Sequence, residues 1–309
     1  MKCSHYDSHS ISATSWDEFI YNSPQGGPFL LHEWMSCVFM NWQYLEVGDG
    51  NRILARMPLS PARKWFWHYA FQPLFCQHWG VVFAKDLSPT EMQACIALLR
   101  PELEKRFSLI TFYFSPYYPD TAFFQGKEWQ ITPRITHLSV LGSSPEQSFS
   151  PSAVRQYKKA EKAGYRILEE WSIKSVEVIL KKNPGIMNPK QLDLFLKLYA
   201  LVQEKQLGFS LMAHSPLGEI VAMGIFVTYQ ERVYYLAGAV LPEQRNSGVM
   251  TQLMRTAMNR AYKQGKTILD FEGSMNPGIA KFFKGLGGQE KNYICISYNR
   301  MPFSKLWKK

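Results

Sequence analysis

Two apolar runs rich in β-branched and aromatic residues, 219–229 (EIVAMGIFVTY) and 232–240 (RVYYLAGAV), flank Gln230 and Glu231 and predict a β-hairpin. A polar stretch, LPEQRNSG, follows. Met250, Leu253, Met254, Ala257, Met258 and Ala261 then recur at the spacing of one helix face, and Gly265 stands where a left-handed C-cap belongs. The run 267–271 (TILDF) predicts a strand. Pro277 opens a short helix over PGIAKFFKGLGG, and 292–298 (NYICISY) supplies a last strand.

Upstream, 15–40 reads as helix interrupted by the loop SPQGGP, and 44–47 and 52–58 flank Gly48-Asp49-Gly50-Asn51 as a hairpin. The aromatic-rich run 64–77 (KWFWHYAFQPLFCQ) reads as core or groove lining rather than as a stacking platform. The segment 79–83 reads as a strand. Ser88-Pro89-Thr90-Glu91 forms a capping box ahead of a helix with Met92, Ile96, Leu99, Leu103 and Phe107 on one face and a kink expected at Pro101. Strands follow at 109–114 and 134–141. The Gly-, Ser- and Pro-rich stretch 142–152 predicts the seam between two domains, 1–148 and 149–309. Ser150 and Pro151 can then cap and open a helix closed by Gly164. After a strand at 165–168, Asn188-Pro189-Lys190-Gln191 begins another helix, which buries Leu192, Phe195, Leu196, Tyr199 and Val202 and ends at Gly208.

The order β-β-α-β-α-β, with YYLAGAV, a long helix, DFEGS and then IAKFFKGLGG, closely resembles the closing segment of the Fem-type branch of the GNAT superfamily, the peptidoglycan-bridge aminoacyltransferases and their relatives, including acetyltransferases. The family's Phe-Lys pair falls on Phe283 and Lys284. Its Arg-x-x-x-(Lys/Arg)-Ala opening resembles the segment from Arg155 to Ala160. The implied fold is α/β (α+β): tandem GNAT-like domains, each a mixed, mostly antiparallel sheet flanked by helices. A worn internal duplication agrees with this. ITFYF from Ile110 leads to Phe123-Phe124-Gln125-Gly126, as ILDFEG from Ile268 leads to Phe282-Phe283-Lys284-Gly285. Gln125 takes the place of Lys284 in the first copy, so the second is expected to handle donor and catalysis while the first is scaffold and cleft wall.

Composition adds the broad class. The 309 residues are 46% hydrophobic and 15% aromatic, which is globular material, and the N-terminus MKCSHYDSHS has no apolar core of a signal peptide. A cytoplasmic protein without a membrane span is expected. Five cysteines without a CxxC predict reduced thiols, and the scattered histidines offer no metal-ligand spacing, so neither a metal nor a permanently bound cofactor is expected. Charge divides the chain: residues 1–150 carry 11 Lys and Arg against 13 Asp and Glu, residues 151–309 carry 24 against 12. A second half at +12 favours a phosphate-bearing partner such as tRNA, a nucleotide-linked cell-wall precursor or coenzyme A.

The resemblance places a donor pyrophosphate at the N-terminus of the helix after the hairpin, where backbone amides and the helix dipole hold anions. Arg245, Asn246, Ser247 and Gly248 are the candidate contacts, with Met250 where acyl-CoA-dependent members carry a second glycine. Asn246 or Ser247 can equally be the helix cap. Asp270 and Glu272 alternate with Phe271 and are expected on one sheet face, Glu272 as the base for an amine nucleophile or as a tie to the glycine-rich loop. Lys284 can stabilise an oxyanion or bind a donor phosphate. Phe283, Tyr235, Arg155, Lys158 and Lys159 complete the expected binding surface. The function implied is acyl or aminoacyl transfer to an amine, from aminoacyl-tRNA. Acyl-CoA-dependent N-acetyl transfer to a small molecule is the alternative, and a catalytically idle nucleotide- or nucleic-acid-binding module is the non-enzymatic one.

Overall fold

The computed structural model describes residues 1–118, 124, 126–273 and 275–301. The chain forms two compact units: Met1–Arg134 together with the segment from Asn292 on, and Ile135–Lys291.

In the first unit, β1 (Lys2–Asp7) is followed by α1 (Ala13–Tyr21), α2 (His32–Val38), β2 (Gln43–Asp49), β3 (Arg52–Leu59), β4 (Pro61–Lys64), β5 (Trp67–Phe71), β6 (Val82–Phe83), α3 (Pro89–Arg106), β7 (Leu109–Tyr113) and the start of β8 (Trp129–Val140). The strands β1-β2-β3-β6 form one antiparallel sheet. In the other, β5 runs parallel to β7. Trp16, Trp34, Trp42 and Trp79 are fully enclosed between these elements and dominate the core. The capping box at Ser88 and Glu91 forms as expected. The strand β1 was not legible, because KCSHYD lacks apolar alternation. Its backbone pairs with β2 from Lys2↔Gly48 to Asp7↔Gln43, and those ladder bonds hold it. The aromatic-rich run is also corrected: Trp65 and Phe66 are exposed at the tip of the β4–β5 hairpin. Residues Phe123 and Gln125 of the proposed first repeat copy lie outside the described residues.

The second unit continues with α4 (Pro151–Lys162), β9 (Arg166–Glu169), α5 (Ile173–Lys181), α6 (Pro189–Glu204), β10 (Gly208–His214), β11 (Ile220–Tyr229), β12 (Arg232–Val240), α7 (Val249–Lys263), β13 (Ile268–Asp270), α8 (Pro277–Gly285) and the start of β14 (Gln289–Asn299). Its strands lie in the order β8-β13-β12-β11-β10-β9, antiparallel except for β12 with β13. The apolar face of α7 is buried as its periodicity predicts. α6 stops at Glu204 rather than Gly208, which instead opens β10.

The compact units do not divide at 148/149. Leu138–Val140 of β8 pair with β13, which carries the chain into the second unit before the Ser- and Gly-rich loop begins. Cys295–Asn299 of β14 pair with β7 and belong to the first. Strand hydrogen bonds decide membership, and loop composition does not report them.

Arg255 ties the second unit together. Its Nε and Nη2 donate to Glu146 at 3.2 and 3.1 Å, its Nη1 donates to Glu161 at 3.2 Å, and its guanidinium lies 4.7 Å from the Tyr157 ring centroid. The Arg255 hydrogen bond holds the Glu146 carboxyl below its usual range. That stabilisation is present at neutral pH and fades as pH falls through the lowered value. Arg255→Ala is expected to cost about 1–2 kcal/mol, read as a lower denaturant midpoint at unchanged slope, and the cost should shrink in acid.

Candidate active site

Parallel pairing between β12 and β13 covers only Arg232↔Ile268 to Tyr234↔Asp270. Beyond it the register of β12 with β11 shifts, Ile225 facing Ala237 but Phe226 facing Tyr235, so Leu236 is an extra residue on β12. β13 ends at Asp270, and the backbone then turns through left-handed conformations at Glu272 (φ 58°) and Gly273 (φ 66°). A side chain at residue 273 would place its Cβ 2.4 Å from the Ile135 carbonyl oxygen, so only glycine fits there. For Glu272 the left-handed backbone costs about 1–3 kcal/mol, a strain that tends to persist at functional positions.

The two carboxylates have different environments. Asp270 is 1% exposed, and its Oδ1 accepts from the Thr136 hydroxyl at 2.6 Å and the Glu272 amide at 2.8 Å, so it fixes the turn. Glu272 carries a buried Oε1 with no hydrogen-bond partner among the described residues. Burial, and then the Asp270 carboxylate, push its carboxyl well above the usual range. The expected alternation on one strand face fails because the strand stops two residues early, yet the turn still brings Glu272 to Asp270. The arrangement gives one structural acid and one acid whose raised proton affinity suits a general base.

Phe283, expected against the donor, instead fills the core. It is 4% exposed, stacks on Phe271 at 4.7 Å between centroids and meets Tyr235 edge-on at 6.1 Å. The Tyr235 hydroxyl donates to Met250 Sδ at 3.9 Å, and burial raises its pKa, so it is a neutral wall residue. His137 was missed in the sequence because it sits in an otherwise ordinary strand pattern. It is 1% exposed, its ring lies 5.9 Å from that of Phe283, and neither ring nitrogen has a hydrogen-bond partner among the described residues. Desolvation lowers its pKa, which keeps the imidazole neutral.

Lys284 is half-exposed, its Nζ 2.7 Å from Glu290 Oε1. It lines a cavity of about 600 Å³ with Lys281 and Phe282 of α8, Ser150 and Ser152 at the start of α4, and Thr251 in the first turn of α7. Two ammonium groups and three hydroxyls at two helix starts suit a phosphate-bearing ligand.

The loop before α7 is arranged differently from a bare pyrophosphate cradle. Gly248 (φ 86°) abuts α4, where a Cβ would lie 2.1 Å from the Gln156 carbonyl oxygen. Lys159 Nζ donates to the Asn246 carbonyl at 2.8 Å, Arg245 Nη2 to Asn183 Oδ1 at 2.8 Å, and the Ser247 hydroxyl to the Gln244 carbonyl at 2.7 Å. Ser247 Oγ also accepts from the Val249 amide, so it caps the helix from one residue before the N-cap. Thus Arg245, Asn246, Ser247 and Lys159 are engaged within the protein, and Gly248 serves helix contact. Arg155 and Lys158 lie on the exposed face of α4.

Residues 177–287 match the family model described as Acetyltransferase (GNAT) family. No curated protein matches the chain. Among solved structures, FemX is similar over 100% of both chains at 14% identity, with a TM-score of 0.70. L-PGS from Bacillus licheniformis is similar over 96% of this chain and 94% of its own, at 13% identity and a TM-score of 0.58. A tandem GNAT protein from the clavulanic acid biosynthesis pathway matches over 97% and 99%, at 12% identity and a TM-score of 0.55. At these identities the likeness is one of fold, and it is the tandem, Fem-like architecture expected from the residues.

Proposed function

With a GNAT domain at 177–287 the chain is an acyltransferase, and from that premise we propose that it moves an aminoacyl group from tRNA to an amine, with Glu272 as general base. The observation that carries this reading is the strained, half-buried Glu272 with its buried, unpaired Oε1 and raised pKa; the same unit holds a separate cavity edged by Lys281 and Lys284. In the reaction the amine nitrogen bonds to the acyl carbon, Glu272 accepts the proton the amine loses, and the ester C–O bond breaks to release the ribose hydroxyl, which takes up a proton. Lys281 and Lys284 meet the donor's phosphate charge. A tRNA donor is supported over coenzyme A by the packing of α4 on Gly248, which closes the usual pyrophosphate approach, and by the +12 charge of residues 151–309. Acceptors carrying phosphate, such as nucleotide-linked cell-wall precursors, suit the same charge.

Transfer from labelled aminoacyl-tRNA and from acetyl-CoA to a panel of amines separates the donors. The reading expects label transfer from the tRNA ester. Lys284→Ala should raise the donor KM about tenfold with a smaller change in kcat, as loss of a charge-assisted phosphate contact does. Turnover with acetyl-CoA alone would assign the alternative donor, and binding of tRNA without turnover would assign a binding role.

A further inference from the structure

The β4–β5 hairpin of the first unit is built in an unusual way. Its register, Lys64↔Trp67 and Arg63↔His68, leaves a two-residue tip of Trp65 and Phe66. Such tips favour Asn or Gly because the backbone must turn left-handed, yet here a tryptophan adopts φ 57°. The two side chains are 74% and 71% exposed. Behind the tip, β5 begins to pair with β7 only at Tyr69↔Leu109, so residues 64–67 project past that pairing.

The hairpin is two-sided. Alternation puts Trp67, Tyr69 and Phe71 on one face, with Phe71 exposed at the surface. The opposite face carries Arg63 and His68 and forms one wall of a cavity of about 460 Å³, completed by Lys105 and Arg106 at the end of α3. Arg106 pairs with Glu102 at 3.0 Å, yet its Nε is buried with no hydrogen-bond partner among the described residues. Residues 1–150 carry more acids than bases in total, so this gathering of cations is local.

We infer that this hairpin docks the protein on an anionic lipid bilayer, with Trp65 and Phe66 entering the interface and Arg63, Lys64, Lys105 and Arg106 meeting lipid phosphates. Aromatic rings are favoured at the headgroup level, and each nearby cation adds attraction to an anionic leaflet. Lipid fits better than nucleic acid because the ring pairs are tilted, Phe66 to Trp67 by 45° and Tyr69 to Phe71 by 37°, and so offer no parallel ladder for bases.

Co-sedimentation of the full chain with phosphatidylcholine vesicles, with and without phosphatidylglycerol, tests this. Binding is expected only with phosphatidylglycerol and should weaken as salt rises. Trp65→Gly with Phe66→Ser should lower partitioning about tenfold or more while leaving the melting temperature in place, since both rings are exposed. Lys64→Gln with Lys105→Gln should lower it about tenfold. Equal binding by wild type and the aromatic double variant overturns the inference. So does failure of the wild type to bind either vesicle, an aromatic-tip-dependent dimer in solution, or binding of a single-stranded oligonucleotide that needs Trp65 and Phe66 while vesicles are ignored.

Discussion

Glu272→Gln should lower kcat by about 10²–10⁴-fold with little change in donor KM, because a general base contributes that much and the amide keeps the shape of the acid. Folding should survive, since a neutral side chain replaces a carboxyl that burial already drives toward its neutral form. A variant that keeps wild-type turnover would remove Glu272 from the chemistry and leave its left-handed backbone a purely structural matter. The pH dependence offers a second reading of the same group. The active form is the carboxylate, so kcat/KM of the wild type should rise with pH through the raised Glu272 value, and that limb should vanish in the variant. Stability must move the other way. Between the ordinary glutamate range and the raised native value, the native state holds a proton that the unfolded chain has lost, so stability falls as pH rises across that window. Thermal melts over this range should slope downward for wild type and flatten for Glu272→Gln.

Gly248→Ala is expected to be strongly destabilising, at about 2–4 kcal/mol, or roughly 5–15 °C in melting temperature. Two causes act together: φ is 86°, and the new Cβ would sit 2.1 Å from the Gln156 carbonyl oxygen, a backbone atom that cannot swing aside. Gly248→Asn distinguishes them. Asparagine tolerates a left-handed backbone, so if conformation alone mattered it should recover most of the loss. The overlap predicts that it recovers little. A melting temperature for Gly248→Ala within a degree or so of wild type would mean that α4 does not rest on the start of α7. The closed pyrophosphate approach, and the preference for a tRNA donor built on it, would then fall.

Much of the second unit was legible because its elements obey simple periods. The β11–β12 hairpin and α7 begin and end within one residue of where alternation, helical spacing and turn residues put them, as does the start of α8 at Pro277. The candidate base was legible as an acid on an apolar strand. Its means of action was not. Glu272 owes its raised pKa to burial and to a turn that folds its amide onto Asp270, and the strand rule that placed both acids on one face predicted another route to the same neighbourhood. His137 gave no signal, since a histidine in RITHLSVL looks like any polar position of a half-buried strand. The stretch 64–77 misled because aromatic content predicts burial on average, while Trp65 and Phe66 occupy the one part of a hairpin that has nothing above it.

The sequence alone determined the architecture: hydrophobic period, capping residues and the Phe283-Lys284 context are local properties of neighbouring residues, and they specify a mixed sheet with helices across it. Tertiary structure decided what those residues do. It turned Phe283 inward against Phe271, gave Gly248 to helix packing through Gln156, and left Lys284 half-exposed at a cavity with Lys281. Whether a side chain is buried, paired or free to meet a ligand depends on residues tens to hundreds of positions away. Periodicity carries no record of those distant neighbours, and desolvation and close contact are set by them.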